Sequence, residues 1–127
     1  MNITSGALLT DLYELTMAQA YLAQGMTDIA VFEFFVRKLP PQRNFFMAAG
    51  LEQVLSYLEA FQFSDADIAW LDQTGGFRPA SLNALRAMRF TGEVHAMPEG
   101  SLFFPHEPIL RITAPLPQAQ LVETRVM

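Results

Sequence analysis

The segment IAVFEFFVR, residues 29–37, constrains the fold of this chain more than any other stretch. Its β-branched and aromatic content reads as a strand. Alternation places Ala30, Phe32, Phe34 and Val36 on one face and Ile29, Val31, Glu33, Phe35 and Arg37 on the other. Apolar residues on both faces imply a sheet covered on both sides over most of its length. A chain of 127 residues makes one domain, burying roughly two-thirds of the surface its unfolded form exposes. With 51% hydrophobic residues, 17% charged and a mean hydropathy of +0.20, it carries more apolar material than such a body hides. Apolar surface covered by a further protein surface is therefore expected.

Charge and composition remove several classes. Thirteen acidic residues against eight basic ones give a net charge of −5, the wrong sign for a nucleic-acid-coating domain. No Lys or Arg precedes Arg37, so the sequence shows no positively charged signal region. No run approaches the ~18 apolar residues of a transmembrane helix. The absence of Cys excludes disulfides and thiolate metal sites, and seven Met suit a cytoplasmic protein. Two His leave little material for a metal site.

Local signals predict an order of elements. A helix is expected over 11–24, capped by Thr10 or Asp11, with Asp11 and Glu14 at capping-box spacing and Gly25 as terminator. Its apolar stripe is Leu12, Leu15, Ala18 and Leu22, widened by Met17 and Tyr21. After the strand and the turn-rich KLPPQRN, a second helix is expected over 45–61 with Asn44 as cap and Leu51, Val54, Leu55 and Leu58 as stripe. Ser64 and Asp67 form another capping-box pattern, opening a short helix through Trp70 and Leu71. Pro79 begins a further helix to about Met88. Short strands follow at 91–97, 101–104 and 108–113, and Pro117 starts a last helix. That order argues an α+β fold, helical segments packed with a mainly antiparallel sheet, in one domain spanning 1–127. The sequence stops with no capping Gly and no polar tail, as expected of a chain cut within a helix of a longer protein.

Generic catalytic signatures such as G-x-x-x-x-G-K-[ST], H-E-x-x-H and G-x-S-x-G do not occur. Glu93 and His95 share a strand face, which suits either an acid–base pair or a solvated surface. His106 with Glu107 reads as turn chemistry, since no third metal ligand is apparent. Tyr13, in the first turn of the first helix, can offer a ring for stacking beside a helix N-terminus that favours anions; packing alone also accounts for it, as capping accounts for Asp11. Arg37, Lys38 and Arg43 form the only basic cluster, open to phosphate binding or to plain solvation.

Three blocks in order, LLTDLYELTMAQAYL (8–22), FEFFVRKLPPQRNFFMAAGLEQVLSYL (32–58) and FTGEVHAMPEGSLFFPHEPILRI (90–112), resemble the opening of nicotinate phosphoribosyltransferases. The resemblance implies an enzyme that joins nicotinate to phosphoribosyl pyrophosphate in NAD salvage, with Mg²⁺ and coupled to ATP, working as a homodimer with shared active sites. It implies the α+β N-terminal domain of type II phosphoribosyltransferases, here without the α/β barrel that follows it in the family, so that the 127 residues alone are expected to be inactive. By the same resemblance Tyr13 matches a Tyr that stacks on the pyridine ring, Asp11 its acidic partner, and Arg37 an Arg that touches phosphate. The segment from Gly92 to Pro108 reads as structural, with Pro98 and Gly100 setting a turn. No catalytic or metal-ligating residue is assigned within the chain. A self-associating, non-enzymatic remnant is the rival class, and a nicotinamide or quinolinate phosphoribosyltransferase the rival substrate assignment.

Overall fold

The computed structural model describes residues 6–127. Helix α1 (Leu12–Ala23) leads into strand β1 (Ile29–Phe34), followed by the two-residue β2 (Phe46–Met47). Helices α2 (Leu51–Glu59), α3 (Asp65–Thr74) and α4 (Pro79–Ala87) come next. Strands β3 (Glu93–Ala96), β4 (Leu102–Phe103) and β5 (Leu110–Pro115) and the short helices α5 (Leu116–Leu121) and α6 (Glu123–Val126) complete the chain. The α+β architecture expected from the sequence is what forms.

The main sheet has the order β1-β5-β3, antiparallel throughout. Ala30, Phe32 and Phe34 face the same interior as Leu110, Ile112 and Ala114, since each pair is in register. The helices cover this face only. Ile29 and Val31 on the other face are 65% and 56% exposed, so the expectation of a sheet covered on both sides fails within this chain. The strand also ends at Phe34 rather than Arg37, because from Phe35 onward the chain bends toward the Pro-rich turn.

Two of the predicted helices differ in their details. Residues 45–47 do not begin α2: Phe46 pairs with Phe103 and Met47 with Leu102, forming a small antiparallel ribbon. Gly50, at φ 96°, turns the chain, and the N–H groups of Gly50 and Leu51 donate to the Glu99 carboxylate at 2.9 and 3.1 Å. Glu99 therefore supplies the start of α2, and Asn44 is not its cap. In α1 Leu15 and Ala18 of the expected stripe are buried and Leu22 is half-buried, but Leu12 is 65% exposed and Glu14 is buried instead. Gly25 ends it with positive φ as anticipated. The reciprocal Ser64–Asp67 capping box forms at 3.0 and 2.8 Å, and α3 runs on to Thr74 before Gly75.

The core gathers Leu15, Ala18, Leu58, Phe61, Phe63, Ile68, Leu71, Leu85, Leu121 and Val122 beneath the sheet. Tyr57, Phe61 and Phe63 stack edge to face, with centroids 5.9 and 5.7 Å apart. Gly92 allows the close approach of β3 to β5, since a Cβ there would stand 2.4 Å from the Thr113 carbonyl oxygen and 2.5 Å from Ala114 Cβ. Gln19 ties α1 to the turn before α4, donating to Gly76 O at 3.1 Å and accepting from Arg78 N at 2.9 Å.

Candidate functional site

The N-terminal turn of α1 carries the densest polar network among the described residues. Asp11 is the N-cap residue by position, but its side chain caps nothing. Instead its Oδ2 accepts from the Thr124 hydroxyl at 3.1 Å. Glu14 is fully buried, and among the described residues no ion pair reaches it. Its carboxylate accepts from the Thr10 hydroxyl and, at 2.5 Å, from the same Thr124 hydroxyl. One hydroxyl proton is thus shared between two carboxylates, with Glu14 the nearer acceptor. The capping-box reading of Asp11 and Glu14 fails because Thr124, on α6, competes for both side chains.

Tyr13 stands between these two acids and is 46% exposed. Desolvation at its hydroxyl, with the carboxylates of Glu123 and Glu14 beside it, pushes its pKa up to about 12. The phenol stays protonated at neutral pH. Behind it Tyr57 is 6% exposed, its hydroxyl buried without a hydrogen-bond partner. Burial pushes the Tyr57 hydroxyl up to about 12, Arg125 opposing the shift and Glu14 adding to it. The Arg125 guanidinium lies 5.9 Å from the centre of the Tyr57 ring. On the far side of α6, Gln120 donates to Glu123 at 2.7 Å and accepts from Tyr21 at 3.4 Å.

Arg37 lies beyond the end of β1 and is exposed, as are Lys38 and Arg43. Among the described residues the ion pairs are Arg86–Asp65 and Arg111–Glu33, so Arg37, Lys38 and Arg43 form none there. Glu93 and His95 are both exposed on the outer face of the sheet and form no hydrogen bond with one another. The Glu107 carboxylate accepts from Phe104 N at 2.9 Å, as turn chemistry requires, while His106 takes a positive φ of 67° with its ring near Phe35.

Sequence reading singled out Asp11 and Tyr13 and paired Asp11 with Glu14 only as a capping box, and it did not single out Glu123 or Thr124 as neighbours of that turn. The only signal for Thr124 was a polar residue within the face of the final helix. A cavity of about 370 Å³ opens nearby, lined by Phe32, Phe34, Ile112, Ala119, Glu123 and Met127. No helix among the described residues is long and apolar enough to cross a membrane.

Residues 8–127 match the family model described as the nicotinate phosphoribosyltransferase N-terminal domain. A nicotinate phosphoribosyltransferase of Mycobacterium tuberculosis is 54% identical over 122 residues, which is 96% of this chain and 26% of that protein. The human nicotinate phosphoribosyltransferase is 42% identical over 124 residues, 94% of this chain and 23% of its own length. The crystal structure of human nicotinic acid phosphoribosyltransferase superposes with a TM-score of 0.82 at 41% identity, over 92% of this chain and 24% of that one. A nicotinate-nucleotide pyrophosphorylase from Pyrococcus furiosus shares the fold, with a TM-score of 0.66 at 19% identity, over 93% of this chain and 23% of that one. The chain spans about a quarter of the length of the curated relatives it matches.

Proposed function

Because the chain belongs to the nicotinate phosphoribosyltransferase N-terminal domain family, we propose that it supplies the pyridine-stacking part of an enzyme making nicotinate mononucleotide from nicotinate and phosphoribosyl pyrophosphate. The observation that carries this reading is the half-exposed Tyr13 ring on the first turn of α1, between Asp11 and Glu14. A ring stacked there orients the pyridine nitrogen toward the anomeric carbon of the ribose. Departure of pyrophosphate builds positive character at that carbon, so orientation and nearby charge carry much of the acceleration. Asp11 is the acidic partner at the ring, and Arg37 holds a phosphate oxygen.

In this reading Arg37, beyond the end of β1, and Tyr13, on the first turn of α1, come together in a homodimer with shared sites, each subunit lending one of them. Among the described residues no group of three or more His, Cys, Asp or Glu side chains is placed to hold a metal ion. Mg²⁺ and ATP in this reading belong to the complete enzyme, where Mg²⁺ would supply charge neutralisation for the leaving pyrophosphate. The reaction is one of NAD salvage in the cytoplasm. The 127 residues alone are inactive.

Joining residues 1–127 to the remainder of the Mycobacterium tuberculosis relative tests the proposal. The joined enzyme is expected to form nicotinate mononucleotide, and the separate 127-residue chain to form none. Tyr13→Ala in the joined enzyme should raise KM for nicotinate by roughly tenfold, in line with loss of one aromatic stacking contact, without changing the far-ultraviolet circular dichroism. A joined enzyme that folds but does not turn over, beside an active parent, would overturn the assignment.

A further inference from the structure

We infer that Thr124 is a positioning residue for Tyr13, tethering the first turn of α1 from the opposite end of the chain. The inference rests on the reading of Tyr13 as the stacking residue and adds how its ring is held. Three facts carry it. Thr124 Oγ1 donates to both Glu14 Oε1 and Asp11 Oδ2, the acid next to Tyr13 and the N-cap residue two positions before it. Glu14 is fully buried and, among the described residues, in no ion pair, so the hydroxyl donors Thr10 and Thr124 help to satisfy its carboxylate. Asp11 gives its own helix no side-chain cap, and its carboxylate is turned to Thr124 instead.

Glu123, the neighbour of Thr124, has its carboxylate beside the Tyr13 hydroxyl, so two successive residues of α6 reach the first turn of α1. A rotation of α6 would move Asp11, Glu14 and the phenol together. Such a tether fixes the ring plane before nicotinate arrives, which reduces the ordering cost of binding.

The test uses Thr124→Val, which keeps the side-chain shape and removes the hydroxyl, and Thr124→Ser, which restores it. In the 127-residue chain, Thr124→Val should shift and broaden the Tyr13 ring resonances and speed amide exchange at residues 12–15. Exchange in α3 and α4 should stay unchanged, and Thr124→Ser should restore the native pattern. In the joined enzyme, Thr124→Val should raise KM for nicotinate about three- to tenfold, the size expected for one lost hydrogen bond. KM for phosphoribosyl pyrophosphate should not move, and adding Thr124→Val to Tyr13→Ala should cause no further loss. A Tyr13 ring undisturbed in Thr124→Val would overturn the tether. A fall in kcat with both KM values constant would also overturn it, since that marks only a loss of folded enzyme. A displaced ring with nicotinate KM unchanged in both Tyr13→Ala and Thr124→Val would instead overturn the stacking role and leave the tether standing.

Discussion

Tyr57 shows what an unpartnered group does inside this core. Its hydroxyl makes no hydrogen bond, and burial raises its pKa to about 12, so folding holds the phenol neutral where an unfolded chain would ionise near the ordinary value of 10. A raised folded-state value gives stability that is present below the unfolded pKa and lost as pH rises through the folded one. Urea midpoints should therefore fall between about pH 10 and pH 12. Tyr57→Phe should flatten that dependence, although Tyr13, also raised to about 12, keeps part of it. At pH 7 the same variant should cost less than about 1 kcal/mol or stabilise, because it removes a polar atom without breaking a bond. A loss above about 2 kcal/mol in the urea midpoint would point to a partner for the hydroxyl. At this scale the place of Tyr13 in the first turn of a helix was legible. The burial of Glu14 was not, because the residue that claims it lies 110 positions away.

The elements divide in the same way. Helix α3 was readable because Ser64 and Asp67 cap it from within four residues, and both reciprocal bonds form. Ser64→Ala should lower stability by about 1 kcal/mol, measured by urea unfolding, with α3 amides losing protection first. A change under a few tenths of a kcal/mol would mean that packing of Ile68 and Leu71, rather than the cap, fixes the start of the helix. Helix α2 was misread at its start because Glu99 decides it, 48 and 49 positions from the N–H groups it receives. Residues 45–47 carry the composition of a helix start, yet pairing with β4 takes them. Local chemistry sets elements that end on their own caps, and tertiary contacts set the rest.

For the whole molecule, the apolar excess reappears as exposed surface. Phe45 and Met47 share a face of the β2–β4 ribbon with Leu102 and Phe104, and the four are 48%, 62%, 57% and 53% exposed. The inward pair, Phe46 and Phe103, packs edge to face at 5.9 Å. Such a patch favours association, so the isolated chain should sediment as more than a monomer at micromolar concentration. Met47→Lys with Leu102→Glu should shift it toward monomer with little loss of stability, since neither side chain is buried. A monomer with the unaltered ribbon would remove the patch as the contact. The main sheet carries a further consequence. Strand β5 is its centre, bonded to β1 on one side and β3 on the other, and the cross-strand pair Glu33–Arg111 spans 78 positions. During synthesis β1 must wait for β5 to leave the ribosome before it has any sheet partner. Most of the chain is made while the hydrophobic face of β1 stands open, so folding of this domain is a late, slow event paced by translation.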